Sequence, residues 1–300
     1  MLSKFLDPKN DVAFKKIFGT EKNKDILIHF LNDMLTFKEN EPIEDVTFLK
    51  TVQDPEIAAQ KTSIVDILCK DSKGNQYIVE IQVAKEKGFE KRAQYYAAKA
   101  YAAQTRVGGA YADLKEIIFL AISNFVIFPN KENYKSDHII LDKDSFENDL
   151  KDFSFTFLEL PKFKKNINEL KTIIEKWMYF FKFAEETAEK DVAQIIAGDD
   201  IIERAYEELN RFSWNEEELL IYDQAEKYEG AYIASMEQKY DEGLEKGEQI
   251  GLEKGEQIGL EKGLEKGKIE IALNMIKAGL DKEVIAQITG LSSVEIEKLY

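Results

Sequence analysis

Two carboxylates and an amide, Asp66, Glu80 and Gln82, stand in the runs Ser63-Ile-Val-Asp66-Ile-Leu-Cys-Lys70 and Gln76-Tyr-Ile-Val-Glu80-Ile-Gln82-Val83. Both runs read as β-strands, and the turn-rich Asp71-Ser-Lys-Gly-Asn75 between them predicts a hairpin. Side chains alternate along a strand, so Glu80 and Gln82 share one face while Val79, Ile81 and Val83 share the other. A turn at Ser72-Lys73-Gly74, with Gly74 left-handed, sets Asp66 directly opposite Glu80. Cross-strand β-carbons lie about 4.5–5.5 Å apart, close enough for both carboxylates to hold one divalent cation. The commoner fate of an acidic pair on strands is a solvated sheet face. Against it stands the apolar flank of Ile64, Val65, Ile67, Leu68 and residues 78–83, which reads as central strands. The same strands offer the pair no basic neighbour except Lys70.

Helices must position what surrounds the pair. In residues 10–36, Phe14, Ile17 and Phe18, then Ile26, Leu27, Phe30, Leu31 and Met34 recur at helical spacing. Asn10 or Asp11 can cap, and a turn near Gly19-Thr20 predicts two helices. Asp11 and Lys15 are four apart on the first: they either face the acidic pair, where Lys15 neutralises phosphate charge, or form a plain intrahelical ion pair. Strands are expected at 43–50, 63–70 and 76–84, a helix at 88–106 and a buried strand at 116–124. On that second helix Arg92, Tyr96 and Lys99 follow helical spacing and either present two cations and a phenol to an anionic partner or form a solvated face, while Tyr95 and Tyr101 suit a core position. Two more strands are expected at 138–142 and 153–160, and beyond Asn166 the pattern is almost wholly helical, with Pro161 as the junction.

Composition narrows the chemistry. Cys69 is the single cysteine, and His29 and His138 are the two histidines, so a multi-cysteine zinc site and an intrachain disulfide are excluded. A metal must therefore sit mainly on carboxylates, which favours magnesium or manganese. The net charge of −16 is unevenly spread: residues 1–130 hold 18 basic and 18 acidic side chains, residues 131–300 hold 23 and 39. The front module is thus not too acidic to meet phosphates, and the excess belongs to the back half. No stretch suits a signal peptide or a membrane span, so a cytoplasmic protein is expected.

The acidic pair, preceded by Asp7-Pro-Lys-Asn-Asp-Val-Ala-Phe-Lys-Lys-Ile-Phe18 and followed by Arg92-Ala-Gln-Tyr-Tyr-Ala-Ala-Lys99-Ala-Tyr-Ala-Ala-Gln104, resembles the transposase-like recombination-promoting nucleases of the PD-(D/E)XK superfamily. The resemblance covers roughly residues 5–130, with the three blocks in the family's order. It implies an α/β, restriction-endonuclease-like core of order helix, three strands, helix, strand, followed by an all-helical C-terminal region. It implies a metal-dependent DNA endonuclease in which Asp66, Glu80 and the main-chain carbonyl of Ile81 hold magnesium. Gln82 stands where the superfamily's lysine usually does, and Val65 where its proline does. The loss of that lysine leaves a second reading open, a catalytically degenerate module that binds DNA or protein. An interaction protein whose acidic helices carry the function is a third.

Residues 1–165 are expected to form the nuclease domain, 166–242 an acidic helical region, 243–268 a glycine-repeat helix and 269–300 a small helix-turn-helix-like tail. The octapeptide Gly-Leu-Glu-Lys-Gly-Glu-Gln-Ile begins at Gly243 and recurs at Gly251, and glycine returns every fourth residue to Gly267. Each glycine costs a helix about 1 kcal/mol relative to alanine, so the segment is either a loose tether or a helix packed along that stripe. Leu244, Ile250, Leu252, Ile258, Leu260 and Leu264 favour packing, and residues 243–300 are the expected homo-oligomer contact. The tail's last helix offers Glu295, Glu297 and only Lys298, which suits an interaction or capping module better than phosphate binding.

Overall fold

The computed structural model describes residues 3–35, 41–50, 52–53, 63–105, 109–196 and 198–300. They divide into two compact units, one ending at Tyr232 and one comprising Ile233–Tyr300.

The first unit opens with α1 (Asp11–Phe18) and α2 (Lys24–Met34). Asn10 caps α1 by accepting from the Val12 amide at 3.0 Å. The strands follow as β1 (Val46–Phe48), β2 (Val52–Gln53), β3 (Ser63–Ile64), β4 (Ile67–Asp71) and β5 (Gln76–Gln82), then α3 (Phe89–Ala103), β6 (Ile117–Ser123), β7 (Lys135–Ile139) and β8 (Phe153–Glu159). A mixed six-stranded sheet has the order β1-β4-β5-β6-β8-β7, with β2 and β3 paired separately. β5, β6 and β8 run parallel, and the remaining neighbours are antiparallel.

The β4–β5 register is the one the turn demands: Ile67 pairs with Val79 and Lys70 with Gln76, and Gly74 takes φ +90°. The expected strand over 63–70 is instead broken at Val65-Asp66. There the Asp66 carboxylate, rather than a main-chain carbonyl, accepts the Ile81 amide at 2.9 Å, so the ladder gives way to a side-chain bond. The strand expected at 138–142 lies earlier, at Lys135–Ile139, because Asp142 turns the chain by accepting from the amides of Asp144 and Ser145.

Alternation gives the sheet two apolar faces. One side presents Ile67, Cys69, Tyr77, Val79, Ile81, Ile118, Leu120 and Ile122 to a core shared with Phe14, Phe18, Phe30 and Leu31 of α1 and α2. The other presents Leu68, Ile78, Phe119 and Ala121 to Phe89, Ala93, Ala97 and Ala100 of α3. The alanine-rich stripe of α3 lets that helix lie close to the strands.

The core does not end at Pro161. α4 (Ile173–Phe183), α5 (Glu189–Ile196), α6 (Asp200–Glu208) and the start of α7 (Glu216–Lys277) follow. They send Trp177, Phe181, Ile202, Tyr206 and Tyr222 into the same core as α1 and α2. The boundary expected at 165/166 is therefore replaced by one compact unit reaching Tyr232. Its helices look acidic because their outer faces are, while aromatic residues at helical spacing bury the inner ones.

In the second unit, α7 runs without a break through the glycine repeat to Lys277. α8 (Lys282–Thr289) ends at Gly290 with φ 69°, and α9 (Ser293–Glu297) starts with a Ser292/Glu295 capping box. Ala272, Ile285, Leu291 and Ile296 form its small core. A β-carbon added at any glycine from Gly243 to Gly267 meets nothing within 4 Å, so no part of the described chain packs on that stripe. No helix among the described residues is long and apolar enough to cross a membrane.

Candidate active site

Glu80 and Gln82 share the face of β5 that Ile78 turns to α3, and Asp66 stands at the bend before β4 beside Glu80. Asp66 is fixed by the Ile81 amide, and its Oδ1 lies 3.8 Å from the Lys15 Nζ. Lys15 also bonds Asp11 at 2.7 Å. The two readings of Asp11 and Lys15 therefore meet in one arrangement, an intrahelical pair that also faces the acids. Burial opposes the Lys15 charge, but its hydrogen bond to Asp11 and the charges of Asp11, Asp66 and Glu80 raise its pKa overall.

Glu80 is 5% exposed, and its Oε1 is buried with no hydrogen-bond partner. Burial first, and the Asp66 charge second, push its carboxyl well above the usual range, while Arg92 works the other way. Asp66 is also raised by burial, against the pull of the Ile81 amide. A buried Glu80 beside a half-buried Asp66 thus resists ionisation of both together.

The compensating charges come from helices rather than from Lys70, which is exposed on β4. Arg92 donates to the side chains of Gln82 and Glu86, and its guanidinium lies 4.9 Å from the Phe89 ring centroid and 5.8 Å from that of Tyr96. Arg92, Tyr96 and Lys99 are all half-buried along α3. Tyr101 packs on Phe153 as a core residue would, but Tyr95 is 50% exposed and is no part of the core. Glu86 and Phe89 had no sequence signal of their own, since they act only through the placement of Arg92.

The sequence model described as PD-(D/E)XK nuclease family transposase matches residues 8–238. The chain belongs to that family. A second model, the C-terminal HTH domain of the Rpn/YhgA-like nuclease family, matches residues 265–300, which makes the tail a helix-turn-helix domain rather than only a capping module. No curated protein and no solved structure matches the chain.

In this family member the donors at hand are hard oxygens. Among the described residues no cluster of three or more His, Cys, Asp and Glu side chains could hold a metal. A magnesium ion needs only one or two carboxylates and keeps several waters. The unpartnered Glu80 oxygen beside Asp66 fits that requirement.

Proposed function

We propose that this chain is a magnesium-dependent DNA endonuclease of recombination or transposase-like type, hydrolysing phosphodiester bonds at Asp66 and Glu80. The observation that carries this reading is the buried, unpartnered Glu80 oxygen beside the half-buried Asp66 carboxylate, in a chain of nuclease family. Asp66, Glu80 and the Ile81 carbonyl are the residues that would hold magnesium, or manganese in its place. A divalent ion held there supplies Lewis-acid polarisation of the phosphate and acidifies water. The protein's own part is positional: the Ile81 amide holds Asp66 in place, and Lys15 presents a cation to phosphate charge. Tyr96 and Lys99 face the DNA backbone from α3, and Arg92 on the same helix reaches inward to Gln82. In the reaction a water oxygen bonds to phosphorus, one phosphorus–oxygen ester bond breaks, and the water's protons pass to the leaving oxygen and to solvent.

Cleavage of supercoiled plasmid with magnesium, manganese or a chelator tests this directly. Cutting is expected with either metal, none with chelator, and none for Asp66→Ala or Glu80→Ala. A specific observation favours a second reading: Gln82 is tied to Arg92 and donates to the Ala84 carbonyl at 3.0 Å, so it is not a free acid or base. A wild type inert with every metal, yet still binding DNA, would favour that degenerate module.

The helix-turn-helix domain is proposed to bind DNA, and the unpacked glycine stripe of α7 to join two copies. Light scattering of the whole chain is then expected to give twice the monomer mass, and deletion of residues 243–300 to halve it. An unchanged oligomeric state after deletion removes the stripe from consideration. The single, buried Cys69 suits a reducing compartment, and the cytoplasm is the proposed location.

A further inference from the structure

We infer that Arg92 supplies from helix α3 the positive charge that the motif's lysine would carry, and that Gln82, in that lysine's place, holds it there. The inference rests on the nuclease reading above. Gln82 follows Glu80 by two residues and so shares its face of β5, the face that α3 covers. The Gln82 Nε2 donates to the Ala84 carbonyl at 3.0 Å, which turns its Oε1 towards the helix, and Arg92 Nη2 donates to that Oε1. Glu86 takes Nη1, and the rings of Phe89 and Tyr96 lie against the guanidinium. The group is thus held by two oxygens and two rings, a fork geometry that lysine cannot fill.

Glu86 does not cancel this charge at the acids. Its side chain is 42% exposed, against 24% for Arg92, so water screens it, whereas Glu80 lies buried on the inner side and feels the guanidinium directly. Arg92 Nε is buried without an acceptor, as Glu80 Oε1 is without a donor, which leaves the cationic group incompletely matched within the protein. Lys15 does the corresponding work on the other side, beside Asp66 and away from Gln82. The acidic pair is therefore flanked by two cations from two helices, and the strand itself needs none.

The test is a cycle of Arg92→Ala, Gln82→Lys and the double variant. Three quantities are read: the kcat and KM of plasmid cleavage with magnesium, duplex affinity with calcium in its place, and the melting curve. Arg92→Ala is expected to lower kcat about 100-fold, the range for loss of a group that assists proton transfer or developing charge. Its duplex affinity should stay within about threefold, less than loss of a phosphate-binding cation gives. Gln82→Lys alone sets an ammonium against the guanidinium and lowers activity, but in the Arg92→Ala background it should restore kcat to within about tenfold of wild type. It should not rescue Lys15→Ala. Arg92→Gln repeats the measurement if the alanine variant melts early.

The inference is overturned if the wild type cuts and Arg92→Ala cuts equally well. It is also overturned if the loss lies wholly in affinity, or if the double variant is as inactive as the single. A wild type that never cuts overturns the nuclease reading as well, and so separates the two failures.

Discussion

Glu80→Gln is expected to raise the melting temperature of the metal-free protein while lowering DNA cleavage by at least about a thousandfold. Its carboxyl is buried, lies against Asp66 and leaves one oxygen unpartnered. An amide keeps the shape and removes the charge. Because burial raises both pKa values, the folded state holds protons more tightly than the unfolded chain. The pair therefore costs stability as pH rises from the ordinary carboxylate range through the raised values. Relief of a buried charge is worth on the order of 1–3 kcal/mol, and each kcal/mol is about 2–4 °C in a domain of this size. Added magnesium should reverse the order, stabilising the wild type by mass action but not the variant. A wild type that melts above Glu80→Gln without metal, or that ignores magnesium, would sink this account of the pair.

The second large effect lies far from the acids in sequence. Trp177→Ala is expected to cost about 3–5 kcal/mol, read as the shift of a denaturant midpoint, and cleavage should fall with the folded fraction. Trp177 is fully buried, contacts Phe18 and Phe30 at ring distances of 5.9 and 5.2 Å, and donates from Nε1 to Asp33 at 2.7 Å. Phe18 belongs to α1, the helix that carries Asp11 and Lys15, so this indole supports one wall of the site. For the same reason a fragment of residues 1–165 is expected to remain unfolded. A folded, active fragment would show that the later helices are dispensable.

Local patterns were enough for part of this. Gly74 and the alternation on both strands specify the hairpin register, and with it the meeting of Asp66 and Glu80. The cap of α1 was legible for the same reason, as Asn10 or Asp11, since it is decided within four residues. The Arg92–Gln82 contact was not, because it depends on how α3 lies over the sheet, which no spacing within α3 encodes. The boundary at 165 rests on the change to a wholly helical pattern after Pro161, which marks a change of secondary structure and not the end of a core. Trp177, Phe180 and Phe181, then Ile202 and Tyr206, already carry a buried stripe that an acidic composition conceals. The break at Asp66 was hidden for another reason: a strand pattern cannot reveal that a side chain will take over a main-chain acceptor's role.

The sheet ends in β1, only three residues long, and in β7, whose five residues include Lys135, Asp137 and His138. Lys135 and Asp137 pair with each other, and Asp137 also accepts from Thr156 at 2.8 Å. Exposed strand borders are where folded proteins become templates for aggregation, and brevity and charge are the usual protection. This fold has one safeguard at each border, so two copies have little to gain by extending each other's sheet. A chain bordered in this way can be kept at high local concentration without polymerising through its sheet.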